Sequence, residues 1–305
     1  RRRASPDAAD CVQLDLFLDS RAVMLANDAA GALAARDAER ASAVLVRLRA
    51  EAPDYPGIDT LETLATALAA WSPRGADAAA IVRAVDGLDR DIAAAASQAL
   101  AEDAARFMAS LFHDLAEAAR ELAYEPAQPR AHRAWLCLRC GEWEEAETAA
   151  NAIPQPEAKP DALHWRAVAR YRREGLDAAR SGLFALAWRA PQRFAAVLSE
   201  LADELLQRDW DRFESASEWQ SIDESELPAW FPAWYLLEHP SARAAFEGAQ
   251  FPDAPPAEAA RLILELLDLE KRGGTKRLVG RRARLRNLNR ELFALYMANR
   301  TTQYL

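Results

Sequence analysis

The sequence predicts an all-α protein, an α-solenoid of stacked helix pairs, and three observations support this fold class. Apolar residues recur at three- and four-residue steps along most of the 305 residues, which is typical of helices with one buried stripe. Glycine is scarce, with 11 residues, and alternating runs of β-branched and aromatic residues are few, so strands are not expected. Hydrophobic residues make up 51% of the chain, which is enough for a large core.

Proline, glycine and capping residues divide these stripes into separate helices. We expect helices at about 19–35, 38–52 and 59–70, two or three within 77–120, then at about 129–140, 142–153, 161–174 and 176–190, at least one within 194–218, and finally at about 255–272 and 278–299. Composition divides the chain into a flexible N-terminal arm (1–18), a helical array (19–200) and a C-terminal helical region (201–305) that contains a tryptophan-rich segment and a basic last helix.

Two turns in the middle of the chain repeat at a fixed distance. Gly141 and Gly175 lie 34 residues apart, and each separates two predicted helices. The segment Gly141-Glu-Trp-Glu-Glu-Ala146 resembles the Gly-Asp-Tyr-x-x-Ala turn of the tetratricopeptide repeat family, whose period is 34 residues. Glycine permits the left-handed conformation that ends the first helix. The resemblance covers about 65 residues well, with a weaker copy at 36–53, and it implies stacked helix pairs that bind other proteins.

A short motif near the N-terminus is the most specific signal for a partner. Gln13-Leu14-Asp15-Leu16-Phe17 resembles the bacterial sliding-clamp-binding motif Gln-Leu-(Ser/Asp)-Leu-Phe at every position. Peptides of that family bind in extended form, and the resemblance implies that Gln13 enters a polar subsite while Leu16 and Phe17 fill an apolar pocket. A flexible arm would let the motif reach such a partner.

The same segment also has an interpretation that needs no partner. Its apolar residues, including Leu14, Leu16 and Phe17, are equally suited to pack against the first helix pair or to form the first turn of a helix. The exposure of residues 11–18 distinguishes the two interpretations, because buried Leu16 and Phe17 side chains could not reach a clamp without local unfolding.

The C-terminal segment is strongly basic. Ten lysine or arginine residues and one acidic residue lie between Lys271 and Leu305, whereas the whole chain has a net charge of −9. A helix with this charge could contact nucleic acid or another polyanion in a salt-dependent manner. Alternatively, its arginine face pairs with the acidic remainder of the chain and the helix caps the array. The residues predicted for polyanion contact are Arg277, Arg281, Arg282, Arg284 and Arg286.

The sequence contains no arrangement of residues that indicates an enzyme, and neither a cofactor nor a metal is predicted. Cys137 and Cys140 form a lone Cys-x-x-Cys pair without the further ligands that zinc requires. The four histidines stand apart from one another, and no nucleophile elbow or phosphate loop is present. The tryptophan-rich segment between residues 210 and 235 predicts either a ligand groove or, as we favour, a hydrophobic junction in the array.

The sequence supports general expectations about where the protein is located and what it does. Three cysteines cannot form a disulfide framework, and no run of about 18 apolar residues is present, so a cytoplasmic protein without a membrane span is expected. The arginine and alanine bias is typical of a GC-rich bacterial genome. We therefore expect a non-enzymatic scaffold that binds a protein partner, with a DNA replication or repair accessory factor that docks on the sliding clamp as the alternative.

Overall fold

The protein is described by a computed structural model that covers the backbone of residues 7–216, 219, 222–247, 249–272 and 275–302 and, within these, the side chains of 21–216, 219, 222–247, 249–271 and 277–300. All regular structure in these ranges is helical, and no strand occurs there. The all-α prediction is confirmed. The chain forms two compact units, Arg1–Glu142 and Trp143–Leu305.

Unit 1 is a set of helices that pack mainly against their neighbours in the sequence, α1 with α2, α2 with α3, and α6 with α7. Its helices are α1 (Asp7–Ala34), α2 (Ala38–Glu51), α3 (Ile58–Ala69), α4 (Ala78–Gly87), α5 (Ala93–Leu100), α6 (Ala104–Ala118) and α7 (Arg133–Cys140). A π-helical turn, Leu88–Ile92, joins α4 to α5. The core of the unit consists of apolar stripes, among them Leu33, Leu48, Leu64, Ile81 and Phe107.

Side-chain caps fix several helix starts in unit 1. Asp37 accepts a hydrogen bond from the Arg40 backbone N–H at 2.9 Å, and Asp77 accepts one from Ala80 at 2.7 Å. Helix α1 begins at Asp7, about twelve residues earlier than the sequence predicts. Its sequence contains no proline, so no residue forces a break between Asp7 and the predicted start near Asp19.

Unit 2 also packs in sequence order, α8 with α9, α9 with α10, and α14 with α15 and α15 with α16. Its helices are α8 (Trp143–Asn151), α9 (Pro160–Glu174), α10 (Leu176–Arg189), α11 (Pro191–Leu201), α12 (Glu204–Glu214), α13 (Phe231–Glu238), α14 (Pro255–Arg272), α15 (Thr275–Leu288) and α16 (Arg290–Thr302). Packing between consecutive helices within each unit is the arrangement expected of a helical array.

The two predicted glycine turns are present as helix breaks. Gly141 follows α7 with φ 82° and ψ 14°, the left-handed conformation that the sequence analysis expects at this position. Gly175 lies between α9 and α10 with φ 84° and ψ −175°, which is also accessible mainly to glycine. The turns explain the helix boundaries, while membership of the tetratricopeptide family stays a prediction.

The tryptophan-rich segment of unit 2 is a buried core, as the junction interpretation expects. Phe231 is fully buried, and its ring contacts five others with centroid distances between 5.4 and 5.7 Å, those of Phe194, Trp210, Phe213, Trp234 and Tyr235. Pro228 and Pro232 begin the short helical segments of this region. Because the rings pack on one another, they do not form the walls of an open groove.

The predicted single helix at the C-terminus is wrong, since two helices, α15 and α16, occupy that region. Asn289 separates them, and its side chain accepts a hydrogen bond from the Leu292 backbone N–H at 2.7 Å. An asparagine in this position starts a new helix because it satisfies a backbone donor that would otherwise be free. The basic residues therefore lie mostly on α15.

Among the described residues, none of the helices has both the length and the hydropathy that crossing a lipid bilayer requires.

Candidate functional site

Unit 2 contains a cleft of about 430 Å³ between α9 and α10, which we call the α9–α10 cleft. The end of α8, the turn at Pro156 and Glu157, and residues 247, 249 and 250 complete its lining. Three arginines, Arg166, Arg170 and Arg189, line the cleft together with Glu157 and Glu247.

Small residues keep the floor of the cleft open. Ala167 of α9 and Ala179, Gly182 and Ala185 of α10 all line it. A Cβ atom placed on Gly182 would lie 3.5 Å from the Cβ of Ala167, so the two helices approach closely at this point. Because the two backbones pack closely, the small residues form a shallow floor, and the longer side chains of the lining form the walls of the cleft.

Arg166 is the most informative side chain of the cleft. Its guanidinium is about half-buried, and burial together with the nearby charge of Arg170 lowers the pKa of Arg166 from its ordinary value, although the charges of Glu147 and Glu157 oppose this effect. No described side chain forms an ion pair or hydrogen bond with it. A half-buried cation that forms no direct ion pair is less stable than a paired one, and a bound carboxylate would pair with it.

The neighbouring Arg170 is held by the protein itself. It pairs with Glu147, whose other carboxylate oxygen lies 3.0 Å from Nη1 of Arg173. Glu147 is 6% exposed, so this carboxylate is largely shielded from water and fixes both arginines. Arg170 is thereby held in a direct ion pair, whereas Glu147 and Glu157 act on Arg166 only at longer range.

An aromatic cluster positions the wall formed by residues 247, 249 and 250. Phe246 and Phe251 flank these residues, and their rings lie 6.2 and 5.0 Å from the ring of Trp188 at the end of α10. Their two ring planes are nearly parallel, with an interplanar angle of 7°. The wall is thus attached at both sides to α10, the helix that carries Arg189.

No sequence pattern predicted the α9–α10 cleft. The available signal was the pair Arg166 and Arg170, which are four residues apart and therefore share one face of α9, opposite a stripe of small residues on α10. The sequence cannot show which of several nearby acids neutralises each arginine, because that depends on how the helices pack.

The clamp-type motif Gln13–Phe17 lies within the bounds of α1. The side chains of Gln13, Leu14, Asp15, Leu16 and Phe17 lie outside the described residues, so their exposure is undecided and the two interpretations of the motif stay open. The helical backbone at these positions would have to unwind before the motif could bind as an extended peptide.

Of the five arginines predicted to bind a polyanion, three form ion pairs with acids of α14 and two are exposed. Arg281 Nε lies 2.6 Å from Glu265, Arg282 Nη2 lies 3.2 Å from Glu270, and Arg284 pairs with Glu258. All three acids belong to α14. Arg277 and Arg286 are exposed, and no ion pair involves them within the described part of the chain. Much of the basic face is therefore neutralised within unit 2, as the alternative interpretation expects.

The remaining candidate groups are engaged in local contacts. Cys137 is buried, and a hydrogen bond with Cys140 and burial both raise the pKa of its thiol. His132 accepts a hydrogen bond from the backbone N–H of Ala134, which caps α7. Three histidines each contact a carboxylate, in the pairs His113–Glu142, His164–Glu200 and His239–Asp209. Within the described ranges, no three metal-ligating side chains of the Cys, His, Asp or Glu type come together.

Comparison of this chain with protein-family models, with curated proteins and with solved structures finds no match. The tetratricopeptide and clamp-motif resemblances therefore rest on the residues quoted above.

Proposed function

We propose that this chain is a non-enzymatic interaction protein of bacterial, cytoplasmic type, and that the α9–α10 cleft holds a segment of its protein partner. The partly buried guanidinium of Arg166, which lines the cleft and forms no ion pair or hydrogen bond with a described side chain, carries this proposal. Such a group is costly to keep in a free protein, and a bound segment that supplies hydrogen-bond acceptors would remove the cost.

The form of the cleft supports a peptide as its occupant. Its volume of about 430 Å³ lies in the range of ordinary ligand pockets, about 300–1,000 Å³. Small residues form its floor, so a polypeptide backbone could lie against the helices. The resemblance of the Gly141 and Gly175 turns to the tetratricopeptide family also implies a protein partner rather than a substrate.

Site-specific photo-crosslinking in cells tests this proposal. A photoreactive amino acid at Asn151 or Gln250, which are exposed residues at the edge of the cleft, should yield a defined protein adduct. The same amino acid at Leu205, which is 60% exposed on α12, serves as the matched control and should not yield that adduct.

A variant that fills the cleft completes the experiment. Ala185→Trp places a large ring on the floor of the cleft and should abolish the adduct formed from Gln250 while the helical circular dichroism is retained. An adduct of equal yield from Leu205, or one that persists in Ala185→Trp, contradicts binding in the cleft.

A second candidate function is that of a replication or repair accessory factor docked on the DNA sliding clamp. The match of Gln13–Phe17 to the clamp-binding motif at every position favours it. Exposed Arg277 and Arg286 would then add a weak, salt-dependent contact to nucleic acid. Binding of the intact chain to purified clamp should be lost in the double variant Leu16→Ala, Phe17→Ala, and unchanged binding by that variant removes this candidate.

A further inference from the structure

We propose that the segment held in the α9–α10 cleft presents a single carboxylate to Arg166, with Arg189 as the second arginine of the subsite. This inference rests on the proposed function, since it names the chemistry of the cleft's occupant. The carboxylate belongs either to an aspartate or glutamate side chain or to the C-terminus of the partner peptide.

Two of the three arginines that line the cleft are available to a ligand. Arg166 is half-buried and Arg189 is partly buried, both line the cleft, and neither has an ion-pair partner among the described side chains. Arg170, the third arginine of the lining, is already bound to Glu147. The cleft thus contains two guanidinium groups whose donors are available, and a planar fork of N–H donors matches a carboxylate.

The acids in the lining limit how many negative charges the occupant can carry. Glu157 and Glu247 also line the cleft, so its two free arginines are balanced by two acids. A polyanion such as nucleic acid would meet both acids and gain little from long-range attraction. A single carboxylate gains from direct contact with Arg166 and is small enough to avoid the acids. The lining therefore favours one anionic anchor within an otherwise neutral segment.

Arg166 forms no ion pair that would hold the fold together. Because it forms no ion pair within the described part of the chain, its replacement removes no internal contact of that kind, while it removes a half-buried charge. We expect Arg166→Met to leave the thermal midpoint unchanged or slightly raised. Loss of binding without loss of stability separates a ligand-binding role from a structural one.

Selection from a random decapeptide display library, with the full chain as bait, tests the inference. Clones recovered on the wild-type chain should be enriched in one acidic residue at a fixed position or should depend on a free C-terminal carboxylate. Synthetic versions with glutamine in place of the acid, and others with an amidated C-terminus, identify which source supplies the carboxylate.

The arginine variants then locate the contact. Affinity for the selected peptides should fall about tenfold or more in Arg166→Gln, the loss expected for a charge-assisted hydrogen-bonded pair, and less in Arg166→Lys, which keeps the charge without the fork. Arg189→Gln should produce a smaller decrease. Arg208→Gln, at an exposed arginine of α12 outside the cleft, is the matched control and should bind as the wild type does.

Three results would each overturn the inference. The selected peptides could show neither acidic enrichment nor dependence on a free carboxylate. Arg166→Gln could bind them as well as the wild type does, or the selection could yield no clone that depends on Arg166. These outcomes are separate from the test of function. If a partner crosslinks at Gln250 and Arg166→Gln still binds it, the cleft remains a binding site, but for a segment of different chemistry.

Discussion

The buried carboxylate of Glu270 joins three helices of unit 2. Its side chain is 4% exposed and lies 3.2 Å from Arg282 Nη2 of α15 and 2.6 Å from Arg300 Nη1 of α16. The hydroxyl of Tyr296 also donates to it, and burial together with this carboxylate raises the pKa of Tyr296 to about 12. A shielded charge with this many partners is costly to disrupt.

We therefore predict that Glu270→Gln lowers the free energy of unfolding by about 3–5 kcal/mol, because it leaves two arginines facing a group without charge. Urea denaturation followed by tryptophan fluorescence measures this change. The control is Glu265→Gln, which breaks the more exposed pair with Arg281 and should cost no more than about 1 kcal/mol. Equal effects of the two substitutions would show that burial at Glu270 does not matter.

A second residue, Glu200, predicts a dependence of stability on pH. Its carboxylate lies 2.7 Å from Nε2 of His164, and this hydrogen bond lowers the pKa of Glu200 below its ordinary value. The folded state then binds the proton more weakly than the unfolded state. The stabilisation is present above the unfolded pKa of about 4.3 and is lost as the pH falls through the lower folded value.

The expected result is a difference in unfolding free energy between the wild type and Glu200→Gln that is present just above pH 4.5 and shrinks between about pH 4.5 and 3. Urea denaturation at a series of pH values measures it. If the difference in unfolding free energy instead grows as the pH falls, the pH dependence has the opposite sign. That result would contradict a stabilising pair between Glu200 and His164.

Among the helices, the break between α15 and α16 depends on one side chain. Asn289 is largely buried and caps α16 through the Leu292 N–H, whereas Asn287, two residues earlier on α15, is exposed. The apolar stripe predicted for one continuous helix, including Leu278, Leu285 and Leu292, is buried as expected, but it is divided between two helices.

We predict that Asn289→Ala destabilises unit 2 by about 1 kcal/mol, the usual cost of losing a side-chain cap. Chemical denaturation measures the change, and Asn287→Ala is the matched control, expected to change stability by less than about 0.5 kcal/mol. If both variants behave alike, the cap does not stabilise the break.

Across the whole molecule, the chain has two compact units, Arg1–Glu142 and Trp143–Leu305, and each contains its own core. Leu48, Leu64 and Phe107 are fully or almost fully buried in the first unit, as are Trp165 and Phe231 in the second. A unit with its own core can in general fold by itself.

Fragments 1–142 and 143–305 should therefore each show a helical circular dichroism spectrum and a cooperative thermal transition when expressed alone. Calorimetry of the fragments and of the intact chain measures this. A fragment that unfolds without a cooperative transition would mean that it depends on the rest of the chain.

The sequence by itself determined the all-α class and most helix boundaries, because these depend on local periodicity and on breakers such as Pro53, Gly141 and Gly175. It did not reveal the break at Asn289, since asparagine is common within exposed helix faces and acts as a cap only where the chain turns. Only the tertiary structure decided which arginines are neutralised. Arg166 and Arg170 share one face of α9, yet of these two only Arg170 forms an ion pair with Glu147. Helix periodicity is set by near neighbours along the chain, whereas ion pairing depends on how separate helices pack side by side.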